Sequence, residues 1–118
     1  IRECITLTEP PTSAAPSGTA LRIGEMIAAA QNSDFDERKR YPYVNRRKSG
    51  DIGFSVVRAG DIIGEHTVFF TADDERLEFT HRASNRRIFA RGALTAANWL
   101  GDRPAGLYSM ADVLGFTS

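Results

Sequence analysis

The chain has 118 residues, 42% of them hydrophobic and 25% charged, which suits one soluble globular domain with a real core. Its formal net charge is zero, so no overall field draws in nucleic acid or an anionic membrane. A single cysteine, Cys4, excludes an internal disulfide and fits a reducing, cytoplasmic setting; no apolar run is long enough to span a membrane and no signal peptide is visible.

In chain order, Glu3–Thr8 is β-branched and apolar and reads as a strand. Pro10, Pro11 and Pro16 then exclude a helix and suit an ordered loop. A helix is expected from Ser17, with Ala20, Ile23, Gly24, Ile27 and Ala30 on its apolar face. Gly24 is costly inside a helix unless something packs close to it, so it marks a crossing point against a sheet. Gln31 to Gly50 reads as a long polar loop. Its Arg38, Lys39, Arg40, Arg46, Arg47 and Lys48, interleaved with Tyr41 and Tyr43, have the look of a nucleic-acid patch. Zero net charge and flanking acids make it a solvated loop instead.

Three strands should follow, Ile52–Arg58, Ile62–Thr71 and Arg76–His81. "RAGD" and "ADDE" between them predict two hairpins in an antiparallel meander. The middle strand is apolar on both faces, through Ile62, Val68 and Phe70 on one side and Ile63 and Phe69 on the other, so both faces need cover. A second helix is expected over Arg86–Leu100, with Phe89, Ala93, Ala96, Ala97 and Leu100 buried and Arg87, Arg91 and Asn98 outward. "GLYSMADVLGF" ends the chain as a turn or short strand and a helical turn. The order β-α-β-β-β-α is an α+β domain, with residues 1–118 as a single unit.

Several groups carry possible chemistry. Ser17-Gly18-Thr19 opens the first helix, where unpaired N–H groups, a partial positive charge and two hydroxyls can cradle a carboxylate or phosphate. The same residues also make a plain N-cap. His66 and His81 can ligate a metal or move protons, but no cysteine or carboxylate stands at metal-ligand spacing, so no metal is expected. Glu65 and Glu78 have no partner indicated by spacing. Arg86 and Arg87 open the second helix, and an arginine there can hold a carboxylate by two parallel hydrogen bonds. Neither common phosphate-binding glycine motif occurs.

"APSGTAL", "GFSVVRAGDIIGEHTVFF", "LEFTHRASNRRIFARGALTAANWL" and the ending "GLYSMADVLGF" together resemble the C-terminal domain of the dihydrodipicolinate reductase (4-hydroxy-tetrahydrodipicolinate reductase) family. The resemblance covers nearly the whole chain. It implies a mixed sheet of four to five strands with two helices on one face. The open face would be buried in a homotetramer. It implies a cyclic dicarboxylate held by Ser17, Gly18 and Thr19, with Arg86 near it. The family's segment His-His-x-x-Lys-x-Asp before Ala-Pro-Ser-Gly-Thr is replaced here. Thr8 stands at the proton-donating histidine, Glu9 at the second histidine, Thr12 at the lysine and Ala14 at the aspartate. Threonine cannot act as that acid at neutral pH.

The start at Ile1 is read as a trimmed fragment or a processed product, and the family's nucleotide-binding domain is not in this sequence. Hydride transfer needs a bound nicotinamide, so no cofactor and no reductase activity are expected of this chain alone. Three readings stay open. One is a stand-alone module binding a small carboxylate. Another is a repurposed cofactor-free cyclase, dehydratase or isomerase with Glu9 as its acid or base, and with Thr8, Thr12, His66 and His81 as possible pocket residues. The third is a trimmed half of a larger reductase-like protein.

Overall fold

The computed structural model describes residues 2–8 (as backbone), 15–42, 46 and 48–116. The chain divides into two compact units, Ile1–Ser84 and Asn85–Ser118. The first unit holds β1 (Arg2–Thr8), α1 (Gly18–Ala30), α2 (Phe35–Arg38), β2 (Lys39–Arg40), β3 (Ile52–Val57), β4 (Glu65–Thr71) and β5 (Arg76–Arg82). The second holds α3 (Arg87–Leu100) and α4 (Met110–Val113). The class is α+β, as expected. No helix among the described residues is long and apolar enough to cross a membrane.

The five strands form one mixed sheet in the order β2-β3-β1-β4-β5. β1 runs parallel to β3 and antiparallel to β4. This corrects the expected meander. β3 and β4 do not form a hairpin; they flank β1 on opposite sides. The parallel β1–β3 pair needs a long crossover, which α1, α2 and the following loop supply. With β1 already against β3, the "RAGD" segment carries the chain past it to the other edge of β1. The second hairpin forms as expected, closed by the Ala72 N–H donating to the Glu75 carbonyl at 2.9 Å.

β4 begins at Glu65, not Ile62, because a turn from the Ile62 N–H to the Ala59 carbonyl precedes it at 3.4 Å. The two-faced apolar strand is therefore also corrected. Val68 and Phe70 face α1, while Glu65, Thr67, Phe69 and Thr71 alternate onto the other face. On β4 and β5 that face is largely polar. Arg82 Nε meets Glu65 Oε2 at 3.2 Å, the Thr67 and Thr80 hydroxyls pair at 3.1 Å, and Arg76 lies over the Phe69 ring at 5.6 Å.

The core lies where α1 meets the sheet. Ala20 and Ala28 bury against Ile52, Phe54 and Val68, with Leu21, Ile23, Ile27, Phe35, Val56 and Phe70 packed around them. Ala28, rather than the expected Ala30, completes the buried stripe. Gly24 is the predicted crossing point. A Cβ there would sit 2.7 Å from the Phe35 ring and 2.8 Å from the Phe54 ring. Those two rings meet edge to face at 6.1 Å.

The expected loop Gln31–Gly50 contains α2 and β2. Asp34 caps α2 by accepting the Glu37 N–H at 3.0 Å, and Asp36 and Glu37 fill the first turn with negative charge. Arg38 and Arg40 of the basic run serve the fold. Arg38 donates to the Gly50 carbonyl and to Ser33 Oγ at 2.7 Å. Arg40 pairs with Asp51 at 3.0 Å, and Asp51, only 5% exposed, also accepts the Lys48 N–H at 3.0 Å.

In the second unit no α3 residue is buried, which corrects the expected stripe: Phe89 is 54% and Leu100 45% exposed. A two-helix unit whose second helix is a single turn is too small to cover such a stripe. Its contacts centre on Trp99, which meets Tyr108 edge to face at 5.2 Å and carries the Arg103 guanidinium at 4.3 Å. α4 starts with a capping box in which Ser109 and Asp112 satisfy each other's backbone N–H.

Candidate functional site

Because β1 and β3 are parallel, the connection between them must return the chain to the start of β3. α1 therefore begins at the end where β1 finishes. Ligands of crossover folds collect at that end, outside the carboxyl ends of the strands. The backbone of Thr8, the last residue of β1, pairs with Val57, the last of β3, and with Glu65, the first of β4. Glu65 in turn faces Arg82, the last of β5.

The Ser17-Gly18-Thr19 turn opens α1 there. Ser17 has extended backbone angles (φ −68°, ψ 160°), and its side chain accepts the Ala20 N–H at 3.3 Å. Its carbonyl accepts the Leu21 N–H at 3.0 Å. The cap is thus formed. It uses the Ala20 N–H and leaves Gly18 and Thr19, which are exposed, with first-turn N–H groups that have no acceptor within the helix. Among the described residues nothing lies within 4 Å of where a Gly18 Cβ would be, so an acceptor can come up to the backbone past them. No acidic side chain lies in this turn to offset the positive end of the helix.

His66 and His81 occupy directly facing positions on β4 and β5. They share the α1 face with Val68 and Phe79, one row in from the Glu65–Arg82 pair. His66 is half-buried and His81 exposed. Arg86 stands in the second unit, exposed at the N-cap of α3, with no side-chain cap bond of its own. Asn85, just before it, accepts the Arg87 N–H through its Oδ1 at 2.9 Å. Glu9 and Thr12 lie outside the described residues, and Thr8 is described as backbone.

Spacing indicated no partner for Glu65 or Glu78; the fold pairs Glu65 with Arg82 and Glu78 with Arg76 at 2.5 Å. Glu65 and Arg82 line a depression of about 250 Å³ with Asp61, Ile62, Ile63, Ala83 and Ser84. Seventeen positions separate the pair in sequence, so strand register alone reveals it. An apolar groove of about 440 Å³ runs between α1 and the β4–β5 hairpin, lined chiefly by Ile23, Met26, Ile27, Val68, Phe70 and Phe79. Among the described residues no three histidine, cysteine or carboxylate groups gather as a metal cluster.

Residues 6–114 match the family model described as "Dihydrodipicolinate reductase, C-terminus". The chain is 53% identical over 104 residues to the 4-hydroxy-tetrahydrodipicolinate reductase of Rhodopseudomonas palustris (strain TIE-1), covering 86% of this chain and 38% of that protein. It is 56% identical over 103 residues to the reductase of Pseudoalteromonas translucida (strain TAC 125), covering 85% of this chain and 39% of that protein. The chain thus spans about two fifths of the length of these curated relatives. The fold is that of the dipicolinate-bound dihydrodipicolinate reductase from Paenisporosarcina sp. TG-14. The match has a TM-score of 0.69 at 20% identity and covers 94% of this chain and 44% of that one. The match over nearly all of its length places this chain in the dihydrodipicolinate reductase C-terminal domain family.

Proposed function

We propose that this domain holds a small cyclic dicarboxylate at the N-terminus of α1, as the substrate-binding part of a reductase-type protein, and has no reductase activity of its own. The observation that carries the reading is the first turn of α1, with exposed Gly18 and Thr19, no acidic residue in the turn and, among the described residues, nothing packed over Gly18. One carboxylate accepts the Gly18 and Thr19 N–H groups and the Thr19 hydroxyl. The dipicolinate bound by the Paenisporosarcina protein sets the class of ligand. Thr8, in place of a histidine, leaves that position without a proton donor at neutral pH. Hydride transfer would need a bound nicotinamide. The outer sheet face, with its Glu65–Arg82 and Thr67–Thr80 pairs, is the surface through which copies would assemble into the tetramer that the family resemblance implies.

Titration calorimetry with pyridine-2,6-dicarboxylate tests this. The expected result is saturable binding that weakens at least about tenfold in Ser17→Ala/Thr19→Ala, a loss of about 1.4 kcal/mol. No binding, or equal binding by the variant with its helix content intact, overturns the reading.

A further inference from the structure

The chain contains two histidines, and the fold brings them face to face. His66 and His81 are fifteen positions apart in sequence, yet they are direct partners in the antiparallel β4–β5 register. Thr67 opposite Thr80 and Val68 opposite Phe79 continue the same register, and the Thr67–Thr80 hydroxyl contact at 3.1 Å confirms it at side-chain level. Directly opposed residues of an antiparallel pair have Cβ atoms about 4.5–5.5 Å apart and on the same face. Two imidazoles so placed can turn one ring nitrogen each toward a common point. Neutral imidazole is the commonest protein metal ligand, and it suits zinc, copper and nickel.

We propose that His66 and His81 form a two-imidazole site for a divalent transition metal ion of the nickel, copper or zinc type. A ring that coordinates through one nitrogen keeps the other for a hydrogen bond within the fold, the usual arrangement around bound metals. His66, half-buried, is the ligand anchored in the sheet; exposed His81 gives the ion its path from solvent. No third histidine, cysteine or carboxylate joins them among the described residues, so water or oxygen atoms of an added chelator complete the coordination. Bound this way, the ion clamps β4 to β5 and selects the folded state, in which alone the two rings meet.

The test uses the full chain, with Ni²⁺ followed by calorimetry and thermal unfolding and Cu²⁺ by electron paramagnetic resonance. His81→Gln is the main variant because its side chain is exposed, and His66→Gln is the second. The expected results are one Ni²⁺ per chain, a Tm raised by at least about 4 °C at saturation, and a Cu²⁺ spectrum split by two nitrogens. His81→Gln should weaken Ni²⁺ binding at least about tenfold, remove the Tm shift and leave one nitrogen on Cu²⁺. The proposal is overturned by no saturable binding, by equal binding in His81→Gln, or by a single nitrogen in the parent protein. It stands whether or not α1 binds a carboxylate.

Discussion

α1 and α3 have the same kind of sequence pattern and opposite fates. Each is an amphipathic helix of thirteen or fourteen residues. α1 buries Ala20, Gly24 and Ala28 against the sheet and leaves its larger residues partly covered at the edges. α3 carries the bulkier stripe, with Phe89 and Leu100, and buries nothing. Periodicity reports that a helix has an apolar face. It does not report whether a partner lies against that face. Small residues at the centre of α1 let the backbone come close to Phe54, and that close approach makes the first unit's core. α3 has aromatic contacts at its C-terminal end, from Tyr108 and Arg103 to Trp99, and an open stripe along the rest.

Truncations separate the two helices most sharply. Phe54 is 4% exposed and meets Phe35 edge to face, so Phe54→Ala should cost about 3–5 kcal/mol in urea unfolding. Gly24→Ala comes next. The helix gains about 1 kcal/mol in propensity, but the new Cβ must displace two rings, and the net expected loss is about 1–2 kcal/mol. Unchanged or raised stability would show that the α1 crossing is looser than the Gly24 contacts with Phe35 and Phe54 imply. Phe89→Ala should be smallest, within about 0.5 kcal/mol, as for a surface substitution. A loss comparable to that of Phe54→Ala would mean that the α3 stripe is covered in solution, and would erase the contrast between the helices.

Local signals were readable in the residues themselves. Ser17 before an apolar periodicity announces the start of α1, and "ADDE" announces the β4–β5 turn. Gly24 in mid-helix announces a close crossing, which Phe35 and Phe54 provide. The order of strands was not readable, because pairing β1 with β3 joins segments far apart in the chain and no local residue encodes which edge is used. α2 was hidden because its capping Asp34 and acidic first turn sit inside a charge run that reads as loop. The candidate site divides in the same way. The Ser17-Gly18-Thr19 turn is legible from cap chemistry alone. The Glu65–Arg82 pair and the facing histidines exist only through strand register.

The claim that the first turn of α1 is a carboxylate site is tested most directly at the backbone. Amide resonances of the ¹⁵N-labelled chain would be followed during titration with pyridine-2,6-dicarboxylate. Saturable downfield proton shifts are expected at Gly18 and Thr19, larger than at Ala20, whose N–H already donates to Ser17. Binding that leaves Gly18 and Thr19 unmoved, or no binding at all, would contradict it.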